Sequence, residues 1–90
     1  MIQSSWPGAE LVEQGLHDLD HGAETVESLL VSISGPRLRA LGFVVTQPFT
    51  DAELRLYQML SAQYGAGAHA RYNALVRRMV SFQRAGACAS

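Results

Sequence analysis

The sequence predicts a small all-α protein: a bundle of four main helices with a short third helix between its halves, built from two helical hairpins. Three observations predict it. Apolar residues recur at helical spacing in four separate stretches. Gly22, Gly35-Pro36, Gly42 and Gly65-Ala66-Gly67 punctuate the chain between those stretches. Ninety residues, 48% of them hydrophobic, suffice for one modest core, so residues 1–90 read as a single domain.

The first helix follows a cap at Ser4 or Ser5, and Pro7 is tolerated in its opening turn. Leu11, Val12, Gly15, Leu16 and Leu19 make its buried face, and Gly22 stops it. A second helix begins near Ala23 or Glu24, with Val26, Leu29, Leu30 and Ile33 at i, i+3, i+4 and i+7. Glu24 and Glu27 suit its positive end. Gly35-Pro36 ends it, and Ser34 can cap a short third helix through Arg37, Leu38 and Leu41 to Gly42.

Phe43 to Phe49 reads as extended, because Val44 and Val45 are β-branched and Gln47 precedes a proline. Thr50-Asp51-Ala52-Glu53 then matches a capping box, in which the Thr50 hydroxyl and the Glu53 carboxylate satisfy backbone amides reciprocally. The helix that starts there is expected to carry Leu54, Leu56, Tyr57, Leu60 and Tyr64 inward and to end at Gly65-Ala66-Gly67. So short a turn makes it the antiparallel neighbour of the last helix.

That last helix, Ala68 to Arg84, has the best-specified packing. Advancing about 100° per residue, Ala68, Tyr72, Leu75, Val76, Met79 and Phe82 share one sector with Val80 at its edge. Asn73, Arg77, Ser81 and Arg84 lie opposite. Arg71 and Arg78, one heptad apart, flank the stripe, where long side chains cover apolar surface and still reach water or a carboxylate. Residues 86–90 read as a flexible tail.

Charge divides the chain. Residues 1–34 hold six acids and no Lys or Arg, whereas residues 35–90 hold all seven arginines against Asp51 and Glu53. Such a chain can fold its acidic part against its basic part, or against a copy of itself. Lysine is absent, which beside abundant Ala, Gly and Arg suggests a GC-rich bacterial genome. No apolar run approaches the ~20 residues of a membrane span, and the N-terminus lacks signal-peptide character, so a cytoplasmic protein is expected. Cys88 is the single cysteine, which excludes an internal disulfide.

Candidate chemistry is sparse. His17 and His21 stand four apart with Glu13 one turn back, a spacing that lets imidazoles share a metal. On the wheel, however, they point away from Leu16 and Leu19 and form a solvated acidic face. HDLDH is not the zinc-protease motif, since Asp18 stands where a glutamate is needed. His69 belongs to the hairpin end near Tyr64 and Tyr72. Ser, His and Asp occur without a nucleophile elbow, phosphate loop or carboxylate pair to frame them, so no catalytic site, cofactor or metal centre is expected.

Leu29 to Gly42 resembles the helix-hairpin-helix motif over about fourteen residues, with Gly35 at the turn and Arg37 and Arg39 beside it. Ile33 stands where that family has a second glycine. The resemblance implies phosphate contact through Gly35, Arg37 and Arg39. The residues by themselves read as a Gly-Pro break with surface arginines. The expected function is a self-associating protein-interaction module, with Arg71, Arg77, Arg78, Val80 and Arg84 as its contact residues. The alternative is a nucleic-acid-binding accessory protein using arginines near Gly35 or on the last helix.

Overall fold

The computed structural model describes residues 6–89. It is an all-α bundle: α1 (Ala9–Asp20), α2 (Val26–Ile33), α3 (Gly35–Ala40), α4 (Ala52–Tyr64) and α5 (Ala68–Ala89), with one tight 3-10 turn at Gly65–Gly67. No described residue is in a strand. No helix among the described residues is long and apolar enough to cross a membrane.

The two hairpins expected from the turns are present, and α2 is the element they share. It packs on α1, α3, α4 and α5. A helix contacted by four others must be apolar or satisfied over most of its surface. Leu29, Leu30 and Val31 are accordingly buried, and so are Ser28 and Ser32. Both serines are satisfied locally. Ser28 Oγ donates to the Thr25 carbonyl and accepts from the Thr25 amide; Ser32 Oγ donates to the Ser28 carbonyl. Ser32 also accepts from the Phe49 amide at 3.0 Å, which pins the segment before α4 onto α2.

A buried α2 needs α1 unusually close, and Gly15 permits it. A Cβ built at Gly15 would lie 2.4 Å from the Glu27 carbonyl oxygen and 2.7 Å from Val31 Cγ1. Gly8 does the same at the other end of α1, where a Cβ would meet the Arg78 carbonyl oxygen at 2.8 Å. Gly8 is also left-handed, with φ 79°, and occupies the position before α1 without any side-chain cap. The helix therefore begins at Ala9, where the chain meets α5. The expected caps, Ser4 and Ser5, lie outside the described residues.

The α1–α2 link is capped, by residues whose pairing the sequence did not suggest. Thr25 accepts from the Ser28 amide and Ser28 accepts back from the Thr25 amide, a reciprocal capping box. The Thr25 hydroxyl donates to Asp18 Oδ2 at 2.7 Å, tying the end of α1 to the start of α2. Asp18 consequently titrates below its ordinary value, chiefly through that hydrogen bond; burial acts the other way, while Gln14 and the charges of His17 and His21 reinforce the lowering.

Three expectations fail for identifiable reasons. Thr50 and Glu53 form no capping box. The residue at the mouth of α4 is Asp51, left-handed at φ 53° and without a side-chain cap hydrogen bond. That turn sets Thr50 one residue outside the helix, and the Glu53 carboxylate instead acts on Tyr72, whose pKa it helps to raise. Gln47 is not extended but left-handed at φ 49°. The chain reverses there so that Val45 enters the core and the Phe49 amide reaches Ser32. Finally, α5 does not stop at Arg84 but continues through residues 85–89. Gly86 is buried, its Cα side facing Leu41 and Trp6, in an end cluster where Phe82 meets Trp6 edge-on at 5.5 Å and Phe43 at 5.8 Å.

Two stability outcomes follow. Gly15→Ala should destabilise by about 1–3 kcal/mol, because a backbone carbonyl cannot step aside as a side chain can. Gly67→Ala, whose Cβ would meet nothing closer than Tyr64 Cβ at 3.8 Å, should not destabilise. Thermal melts of the two variants distinguish these outcomes. Thr25→Ala should cost about 1 kcal/mol at neutral pH, and Thr50→Ala little. Asp18's contribution rests on a folded-state pKa below the unfolded value, so it is present above the unfolded carboxyl pKa and lost as the pH falls through the folded one. Melts repeated in acid should therefore show the Thr25→Ala penalty shrinking, with only the capping part surviving.

Candidate interaction surfaces

On α5 the expected stripe is realised unevenly. Ala68, Met79 and Phe82 are buried, whereas Tyr72, Leu75, Val76 and Val80 are half-buried, and Asn73, Arg77, Ser81 and Arg84 face water. Val80 lines a small hollow of about 50 Å³ with Leu30, Ile33 and Arg37.

The arginines divide by partner. Arg78 forms an ion pair with Glu10 of α1, its side chain 47% and that of Glu10 64% exposed. Arg55 pairs with Glu24 at 2.9 Å. At these two points the acidic part of the chain meets the basic part within one molecule. Arg71 stacks over the Tyr64 ring at 4.5 Å and donates to the Tyr64 hydroxyl at 3.1 Å. Arg77 Nε donates to the Asn73 carbonyl one turn back. Near Gly35, the exposed Arg39 donates from Nε and Nη2 to the Val45 carbonyl. Gly35 itself is buried in the first turn of α3 near Val45, and Arg37 is exposed.

Sequence reasoning missed the outer face of α4. Leu56 and Leu60 take the core, and Leu54, about 160° from Leu56 on the wheel, must then face away. It is 60% exposed. Tyr57 and Tyr64, also expected inward, are 38% and 44% exposed. Tyr57 covers the α4–α5 seam with its ring 5.8 Å from Tyr72 and 6.4 Å from His69. The Tyr72 hydroxyl is pushed above its ordinary pKa, first by burial and then by the Glu53 carboxylate. Gln58, Ser61 and Ala62 complete the exposed face. A signal for it existed: from Leu56 to Ala70 the chain contains no Asp, Glu, Lys or Arg.

A cleft of about 430 Å³ opens between α2, α4 and α5. Val26, Leu60, Ala74 and Leu75 form its floor, and Glu27, Gln63, Tyr64, Arg71 and Arg78 its rim. A second, more open depression of about 550 Å³ lies where Phe49 and residues 51–54 face Ser32, Ile33 and Pro36.

The histidines make no centre. His17 and His21 lie with ring centroids 4.4 Å apart on the exposed side of α1, and His21 Nδ1 is 2.8 Å from the His17 carbonyl oxygen. No three His, Cys, Asp or Glu side chains converge among the described residues. His69 Nε2 lies 3.2 Å from Asn73 Nδ2 on the exposed side of α5.

Compared with known proteins, the chain matches no family model, no curated protein and no solved structure.

Because the Glu10–Arg78 pair is largely in water, its attraction is screened. Arg78→Gln should change the unfolding free energy by less than about 1 kcal/mol, and added salt should leave the wild-type melting midpoint nearly unmoved.

Proposed function

We propose that the chain is a non-catalytic protein-interaction module whose partner is a second copy of itself, joined through the outer face of α4. The observation that carries this reading is the exposed, uncharged surface of Leu54, Tyr57, Gln58, Ser61 and Ala62. Solvated helix faces normally carry charge, and interface cores are depleted of it and enriched in tyrosine.

The same neutrality favours a copy of the chain over a foreign partner. A two-fold axis brings each residue of a patch against the same patch, so any charge near the axis meets its like. Between Leu56 and Ala70 there is none to meet, and charge stands only at the Leu54 end of the patch, on Asp51, Glu53 and Arg55. Gln58, Ser61 and the Tyr57 hydroxyl each both donate and accept, so they can bond to themselves across the axis. Leu54 and Tyr57 supply the apolar contact, and salt has little to screen.

The nucleic-acid alternative draws on fewer groups than the arginine count suggests. Arg39 is spent on the Val45 carbonyl, Arg78 on Glu10 and Arg55 on Glu24. Arg37, Arg71, Arg77 and Arg84 remain, scattered over α3 and α5, and on the outer face of α5 Arg77 and Arg84 have no exposed Phe, Tyr or Trp beside them for stacking bases.

Light scattering at about 100 µM, a range suited to weak symmetric contacts, is the test. The expected mass is that of a dimer, insensitive to salt, unchanged by generic duplex DNA, and halved by Leu54→Glu with the helical spectrum intact. A monomeric wild type, or a dimer that tolerates both Leu54→Glu and Tyr57→Glu, overturns the reading.

A further inference from the structure

We infer that the cleft between α2, α4 and α5 binds a small zwitterion with an apolar body, such as an apolar dipeptide. Its carboxylate would be taken by Arg71, its ammonium by Glu27, and its side chains by Val26 and Leu75 of the floor.

The cleft's volume, about 430 Å³, lies within the range of small-molecule sites. Its floor is apolar and incompletely covered. Leu75, central to the apolar stripe of α5, is only half-buried, and so is Val26 across from it. An apolar body lying there would complete the burial that the spacing of α5 prepares.

The rim selects the ligand's charge. Arg78 is already matched by Glu10. Of the charges that remain on the rim, Arg71 has no carboxylate partner among the described residues, and Glu27 has no cation partner. They do not pair with each other either, so a positive and a negative pole stand apart over one apolar floor. A simple anion would meet Glu27, and a simple cation would meet Arg71. A ligand with both ends charged satisfies both poles.

Arg71 is also held ready. Its stacking on Tyr64 and its single bond to the Tyr64 hydroxyl fix the guanidinium while leaving other N–H groups for a carboxylate, which lowers the ordering cost of binding. Gln63 adds an amide to the rim that can donate or accept.

The test is an amide-shift NMR titration of the full chain with leucyl-leucine, its N-acetyl form and its C-terminal amide. Saturable shifts are expected at Glu27, Ala74 and Leu75, and either blocked peptide should bind about tenfold more weakly, one charge contact being lost. In Arg71→Gln the amide should bind as well as the free peptide, and in Glu27→Gln the acetylated one should. If Arg71→Gln fails to fold, Arg71→Lys should retain binding while loosening the preference for a free carboxylate. Leu54→Glu should leave every affinity unchanged, so failure here is separable from failure of the dimer. No saturation up to about 20 mM, affinity indifferent to both blocking groups, or shifts confined to other surfaces would overturn the inference.

Discussion

The contact on which the rest depends is the one between the α-carbon of Gly15 and the Glu27 carbonyl, where a methyl group would have only 2.4 Å. It lets α1 lie backbone to backbone on α2, and that closeness makes the burial of α2 possible. An eight-residue helix has little intrinsic stability. Here it is stabilised by the burial of Leu29, Leu30 and Val31 and by serines that bond to their own preceding turn. The same approach brings Asp18 within reach of Thr25, so capping and packing at this corner reinforce each other. It also leaves Glu27, beside the contact, turned to the cleft.

What was legible in the sequence is what a single helix decides for itself. The stripe of α5, the apolar run of α2 and the glycine stops at Gly22 and Gly65 follow from periodicity and local backbone freedom. What was not legible depends on neighbours. The capping pattern at Thr50 presupposes an extended entry, and the reversal at Gln47 and Asp51 that seats Val45 removes it. The box at Thr25 escaped notice because serine, not glutamate or glutamine, completes it. Leu54 was assigned inward for being leucine, although its register against Leu56 and Leu60 places it outward. The residues of the candidate surfaces were half legible. The arginines of α5 were marked, but which of them are matched within the chain is a tertiary fact.

Opposite charge in the two parts of the chain orients more than it stabilises. Glu10–Arg78 and Glu24–Arg55 join α1 to α5 and the start of α2 to α4, yet all four side chains remain 40% exposed or more. Pairs so wet contribute little energy, and the burial of Phe82, Met79, Leu56 and Leu60 contributes most of the affinity between the hairpins. The pairs do discriminate register, since sliding α5 by one turn would take Arg78 from Glu10.

The length of α5 then explains why the cleft is left open. Its C-terminal half is enclosed: Phe82 lies among Trp6, Phe43 and Met79, Gly8 touches the Arg78 carbonyl, and Gly86 admits Leu41. Its N-terminal half has α4 and α2 beside it. Leu75 is left half-covered and Arg71 without a carboxylate, while α4, packed on one side only, turns Leu54 and Tyr57 to water. A short chain that spends its aromatic residues closing one end of a long helix has little apolar mass left to close the other. The uncharged α4 face and the two-poled cleft are the surfaces that this distribution leaves open, and their chemistry determines what can cover them.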